Sequence, residues 1–215
     1  MSDEITIVRI KRMFAEAGKQ IRQEHENLSH LDSIGGDGDH GTAMLLAFEK
    51  LDEAVQTSEA KAMDIWLKDA GWSVLGVGGG ASTALLGTFI AGMGDAELGE
   101  ECGCKSLAES LEAGLQALGK QTKARPGDKT MMDALVPAIE AFAAGAAAGK
   151  TAEDSMREAA DAAQKGTEAT SEMIARFGRA KFLGNKTLGS PDAGATSTAL
   201  VFRGFSIGLK EVKEA

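Results

Sequence analysis

Apolar residues at positions 7, 10, 14, 17 and 21 recur every three to four residues, which predicts a helix from Ile5 to about Asn27. A second helical run, Thr42 to Val55, sets Met44, Leu45, Phe48 and Leu51 on one face. Thr57 or Ser58 can cap a third, ending at about Leu75 and holding Ile65, Trp66, Trp72 and Val74. Ser82 or Thr83 opens a short, very apolar helix to about Met93, and Gly103 to Gly119 carries Leu107, Leu111, Leu115 and Leu118. Asp128 is the expected cap of a sixth helix to about Ala148, with Pro137 as its candidate kink. Thr151 starts a long helix ending near Phe177, with Glu153 and Asp154 favourably placed in its first turn. Gly178 to Ala193 reads as a loop, and Gly194 to about Lys210 as the last helix. No segment reads convincingly as a strand. The pattern predicts an all-α fold, an eight-helix antiparallel barrel or bundle forming one domain over residues 1–215.

The breaks between helices carry the unusual residues. Those after the first, third, fifth and seventh helices are rich in glycine or charge. In an up-and-down arrangement alternate loops share an end, so the four meet at one rim and the site is expected there.

The first of these loops is the most informative. Leu31-Asp32-Ser33-Ile34-Gly35-Gly36-Asp37-Gly38-Asp39-His40-Gly41-Thr42 packs three carboxylates and a histidine among glycines. Glycine and aspartate disfavour a continuous helix and permit a tight loop that turns carboxylates inward. Asp32, Asp37 and Asp39 are candidate ligands for magnesium bound with nucleotide phosphates; a solvated acidic loop capping the next helix through Asp39 is the bland alternative. The acidic positions do not continue to the glutamate of a calcium-binding EF-hand. His40 fits a general base, a phosphate partner or a cap.

Gly78-Gly79-Gly80-Ala81-Ser82-Thr83 fits a phosphate-cradling turn at a helix start, or close packing of two helices. It is neither a Walker A motif nor a dinucleotide fingerprint. Lys123-Ala124-Arg125-Pro126-Gly127-Asp128-Lys129-Thr130-Met131 puts cations beside a cap, and Met131 and Met132 suit either core or an adenine slot. Arg179, Lys181 and Lys186 make a basic loop closed by Pro191-Asp192-Ala193-Gly194, and could grip phosphates.

Charge narrows the partners. The formal charge of -9 argues against nucleic acid. Cys102 and Cys104 are too close for a structural disulfide and have no second pair to complete a zinc site. No apolar leader and no long apolar run is present, so no membrane contact and a cytoplasmic location are expected.

Together these segments resemble the ADP-binding L subunits of bacterial dihydroxyacetone kinases. The resemblance rests on Leu31-Asp32, Gly36-Asp37-Gly38-Asp39-His40-Gly41, Gly79-Gly80-Ala81-Ser82, Pro126-Gly127-Asp128-Lys129-Thr130-Met131, Gly178-Arg179-Ala180 and Asp192-Ala193-Gly194-Ala195-Thr196-Ser197, in family order and across nearly the whole chain. It implies a barrel of eight mostly antiparallel helices with nucleotide at one rim. It implies that Asp32, Asp37 and Asp39 hold two magnesium ions, with His40 beside them as a catalytic-site residue. His40, Gly41, Thr42 and Ala43 would line the ADP or ATP, Ala81 and Ser82 would meet phosphates, and Thr122 and Met131 would border adenine and ribose. Arg179 with Asp192, Ala193 and Gly194 would close over the nucleotide.

The resemblance also implies partners. A separate K subunit holds the ketose, and the phosphoryl source is either free ATP or a phosphohistidine-bearing phosphocarrier subunit. The oligomeric state is left open, a homodimer included. Two departures from the family pattern bear on substrate and donor: Gly80-Ala81-Ser82-Thr83-Ala84 where Gly-Ala-Ser-Gly-Pro is common, and Asn185-Lys186-Thr187 where Glu-Arg-Ser is common. A related ketose such as erythrulose, or a non-catalytic regulatory role, are the alternatives.

Overall fold

A computed structural model describes residues 4–78 and 80–210. Eight α-helices are present among them: α1 (Ile7–Ser33), α2 (His40–Thr57), α3 (Met63–Leu75), α4 (Ala81–Met93), α5 (Cys104–Gly119), α6 (Met132–Ala147), α7 (Ala152–Ala169) and α8 (Ala193–Gly208). Each helix packs on the next in sequence, and α8 packs on α1, so the ring closes. Successive neighbours run antiparallel, as in an up-and-down bundle, although the connection from α7 to α8 is long. Within the ring lie Phe14, Trp66 and Phe205, with Phe14 edge-on to both other rings at centroid separations of 5.2 and 4.9 Å. No described helix is long and apolar enough to cross a membrane.

The eight-helix expectation holds, while several helix ends move. α1 runs to Ser33 rather than stopping near Asn27, because the apolar face continues through Leu28, which is fully buried, and Leu31. The chain leaves the helix only at Gly35 and Gly36. Asp32 therefore sits on the last turn of α1, not in the loop. α2 begins at His40, two residues before the expected Thr42. α3 begins at Met63 with no side-chain cap, and Ser58 instead ends α2 and accepts a bond from the Ala60 N–H.

α4 starts at Ala81; Thr83 does not cap it but donates its hydroxyl to the Gly78 and Gly80 carbonyls. α6 starts at Met132, not after Asp128, and runs through Pro137. α7 ends at Ala169, well short of Phe177, in a 3-10 turn over Thr170–Glu172. Tertiary bonds hold the chain there, since Thr170 Oγ1 accepts from the Asp192 N–H and the Thr170 carbonyl accepts from Lys129 Nζ. The Thr151 cap is present, accepting from the Asp154 N–H.

Two strands of two residues each, β1 (Ile5–Thr6) and β2 (Glu101–Cys102), pair antiparallel at the far end of the barrel, where the sequence shows no strand. They are too short to carry a period-2 pattern.

Candidate functional site

The four unusual loops do meet. Residues of 31–40, 80–82, 122–132 and 177–194 line one cavity of about 470 Å³, within the range of small-molecule sites. Its mouth is polar. Leu86, Phe89, Leu135 and Phe202 form an apolar floor inside the barrel.

At the mouth, one carboxylate oxygen each from Asp32, Asp37 and Asp39 lie within 4.8 Å of one another. The sequence builds this cluster by folding the loop back over the end of α1. The Gly38 N–H donates to Asp32 Oδ2 at 2.8 Å, and the Gly36 N–H donates to the Asp32 carbonyl. Gly36 passes so close that a Cβ there would stand 2.4 Å from Asp32 Oδ1. Three carboxylates in this space repel unless a cation joins them. Arg179 supplies one from across the mouth, its guanidinium bonded to Asp37 Oδ2. That bond holds the Asp37 carboxyl below the usual range, so it stays ionised. A compact set of hard oxygen donors that attracts a guanidinium is suited to magnesium.

His40 is buried at the first turn of α2. Its Nδ1 faces Ser82 Oγ and its Nε2 faces Ser197 Oγ, each at 3.0 Å. Ser197 donates its own proton to the Gly194 carbonyl, so it accepts from Nε2–H, and Ser82 donates to Nδ1. Burial outweighs the Asp32 and Asp39 charges and holds the imidazole pKa below its ordinary value, leaving the ring neutral at pH 7. Both ring nitrogens are thereby committed. His40 is a strut joining the starts of α2, α4 and α8.

Asp192 caps α8, accepting from the Ala195 N–H at 2.8 Å. Burial pushes its carboxyl up to about 6, against the opposing effects of that N–H and of Lys129. A carboxyl raised from 3.8 to about 6 in the folded state binds its proton more tightly when folded, so its contribution to stability falls as pH rises between those values. Asp192→Asn keeps a capping oxygen and removes the charge. Melting curves of this variant should lose that part of the wild-type decline from about pH 4 to pH 6; an identical slope in both proteins would refute the assignment.

Of the other residues expected at the site, Ala81, Ser82, Thr122, Met131, Arg179, Asp192, Ala193 and Gly194 line the cavity. Gly41, Thr42 and Ala43 are not among its lining residues. Gly41 faces α1, where a Cβ would stand 1.8 Å from the His25 carbonyl oxygen, and Thr42 is exposed. Gly79, placed in the phosphate-cradling turn, lies outside the described residues. Lys181 and Lys186 do not line the cavity; Lys181 lies 4.9 Å over the Phe182 ring. Sequence reasoning missed Asp133, Lys129 and Ser197 as site-building residues. Asp133 accepts from the Gly127 and Thr130 N–H groups and so shapes the turn ahead of α6, the helix that Asp128 was expected to cap. A carboxylate three residues after Thr130 is the signal that points to it.

Fold and site together define an all-α protein with a carboxylate triad placed to hold a metal-bound anion at the mouth of a helical barrel. The chain belongs to the DAK2 domain family, which it matches over residues 34–206. It is 32% identical over 191 residues to the ADP-binding subunit DhaL of the PEP-dependent dihydroxyacetone kinase 1 of Listeria innocua, covering 89% of this chain and 91% of the relative. To the corresponding subunit of Escherichia coli it is 31% identical over 203 residues, covering 94% and 97%. The solved dihydroxyacetone kinase of C. freundii in complex with AMP-PNP and Mg2+ superposes with a TM-score of 0.71 at 26% identity, over 92% of this chain and 33% of that one. The D-erythrulose kinase of Mycolicibacterium smegmatis is 33% identical over 90% of this chain. The chain spans about a third of the length of those two kinases and nearly all of the DhaL subunits.

Proposed function

We propose that this protein is the phosphoryl-donor subunit of a dihydroxyacetone kinase, holding a magnesium-bound adenine nucleotide and presenting it to a short ketose on a separate K subunit. The observation that carries this reading is the convergence of Asp32, Asp37 and Asp39 at the mouth of the cavity. Similarity to DhaL subunits along their length, and to a kinase solved with AMP-PNP and Mg2+, supports it.

Bound magnesium neutralises phosphate charge and orients the terminal phosphoryl group. Asp32, Asp37 and Asp39 hold it; we assign them two ions. The first-turn amides of α4 at Ala81 and Ser82 face the phosphates, as helix N-termini suit anions. Arg179, which pairs with Asp37 at the mouth, would be placed to meet phosphate oxygens. Thr122 and Met131 would border the base and ribose, with Asp192, Ala193 and Gly194 closing over the nucleotide. His40 keeps this frame together and, neutral with both nitrogens occupied, takes no proton from substrate.

Proton transfer at the ketose falls to the K subunit. The near full-length match to subunits of PEP-dependent kinases favours a phosphocarrier as the phosphoryl source. Mass spectrometry of gently purified native protein tests the reading. Retained ADP with magnesium is the expected result. An empty chain that binds ATP reversibly keeps the kinase role but replaces the phosphocarrier with free ATP. No nucleotide binding in either form overturns the proposal.

A further inference from the structure

Lys129 is the one non-glycine residue among those described with φ in the left-handed region, at 60°. A lysine has no intrinsic reason to adopt it. The conformation turns its side chain inward, where the residue is only 6% exposed. Its Nζ donates to the Thr170 and Ser190 carbonyls, both at 2.6 Å. Thr170 begins the turn after α7, and Ser190 lies just before the α8 cap. One ammonium thus ties three stretches of chain that are far apart in sequence.

Two of those stretches carry opposite sides of the same slot. Met131, two residues beyond Lys129, lines the cavity, and a Cβ on Gly194 would stand 3.4 Å from the Met131 N. Asp133 and Asp192 supply the negative charge around the ammonium, while burial works against that charge, lowering the lysine pKa. Buried cations are retained only where partners compensate them. The Thr170 carbonyl is buried and the Ser190 carbonyl partly so, and one ammonium satisfies both, which fixes the relative position of the two stretches.

We propose that Lys129 is a positioning residue of the nucleotide site: it clamps the loop before α6 to the start of α8, so that the slot between Met131 and Gly194 is formed before nucleotide arrives. The inference rests on the nucleotide-binding reading above. Lys129 makes this contribution through backbone carbonyls and touches no reacting atom.

The test compares the full-length wild-type chain with Lys129→Met, using AMP-PNP with Mg2+ in a calorimetric titration and hydrogen exchange without nucleotide. The variant is expected to bind at least about tenfold more weakly, as sites held loosely lose preorganisation. Exchange should rise in peptides covering 127–131, 170–173 and 188–196, with α2 and α3 unchanged. Binding within twofold of wild type overturns the inference alone. Weaker binding with exchange raised equally in every helix also overturns it, since the residue would then serve only general stability. No binding by the wild-type chain overturns the nucleotide reading and this inference together. Should Lys129→Met not fold, Lys129→Met/Asp192→Asn removes the uncompensated carboxylate, and the same comparison is made against Asp192→Asn.

Discussion

Asp37→Asn is expected to weaken magnesium-dependent ADP binding by more than about 100-fold while the protein stays folded. Outer partners of metal ligands alone cost roughly 10- to 100-fold when removed, and Asp37 is placed to be a ligand itself. Its carboxylate stands within 4.8 Å of those of Asp32 and Asp39, and Asn supplies a neutral oxygen in place of a charged one. Stability should hardly change, because two small effects oppose each other. The variant loses the contact with Arg179, a side chain that is 69% exposed, and it relieves repulsion within the triad. The thermal midpoint should therefore move by no more than about 2 °C. Titration calorimetry with ADP at fixed magnesium, beside a melting curve, checks both parts. Unchanged affinity removes Asp37 from the metal site. Lost affinity with a midpoint many degrees lower would make Asp37 a structural residue instead.

The helices were legible because most of their cores are one-sided. Ile10, Phe14, Ala17 and Ile21 keep the 3.6-residue period and are all buried. The rim was legible because glycine and charge interrupt that period at alternate junctions, and closure of the ring brings those junctions together. What was not legible depends on bonds between segments distant in sequence. α7 stops at Ala169 because Thr170 is held by Asp192 and Lys129, and no local pattern announces either partner. Nothing around Lys129 marks it for the left-handed region. His40, next to Asp39, fits a general base, a phosphate partner or a cap by sequence; its bonds to Ser82 of α4 and Ser197 of α8 come from segments distant in sequence and are not announced locally. His40 lines the cavity as well, so its place at the site and its place in the frame coexist.

Gly41 exposes the same conflict, and it can be settled by experiment. Its place in the Asp-Gly-Asp-His-Gly stretch suggests contact with nucleotide, yet it sits on the buried side of α2, against α1. A Cβ at this position would stand 1.8 Å from the His25 carbonyl oxygen and 2.5 Å from Ser29 Oγ. The first obstacle is helix backbone and cannot rotate away, so α1 and α2 must part. Overpacking of a tight contact typically costs 1–3 kcal/mol and sometimes more; about 3 kcal/mol is expected for Gly41→Ala. In a chain of this size that lowers the thermal midpoint by roughly 6–12 °C. The parting falls where the site is most sensitive. Asp32 ends α1, while Asp39 and His40 begin α2, so separating the helices spreads the carboxylates. Magnesium-dependent ADP affinity should fall together with the midpoint. Circular dichroism melting and calorimetry on the same preparation distinguish the two roles. Lost affinity with a midpoint within about 2 °C of wild type would return Gly41 to the nucleotide-lining set, because a clash with ligand harms binding without parting the helices.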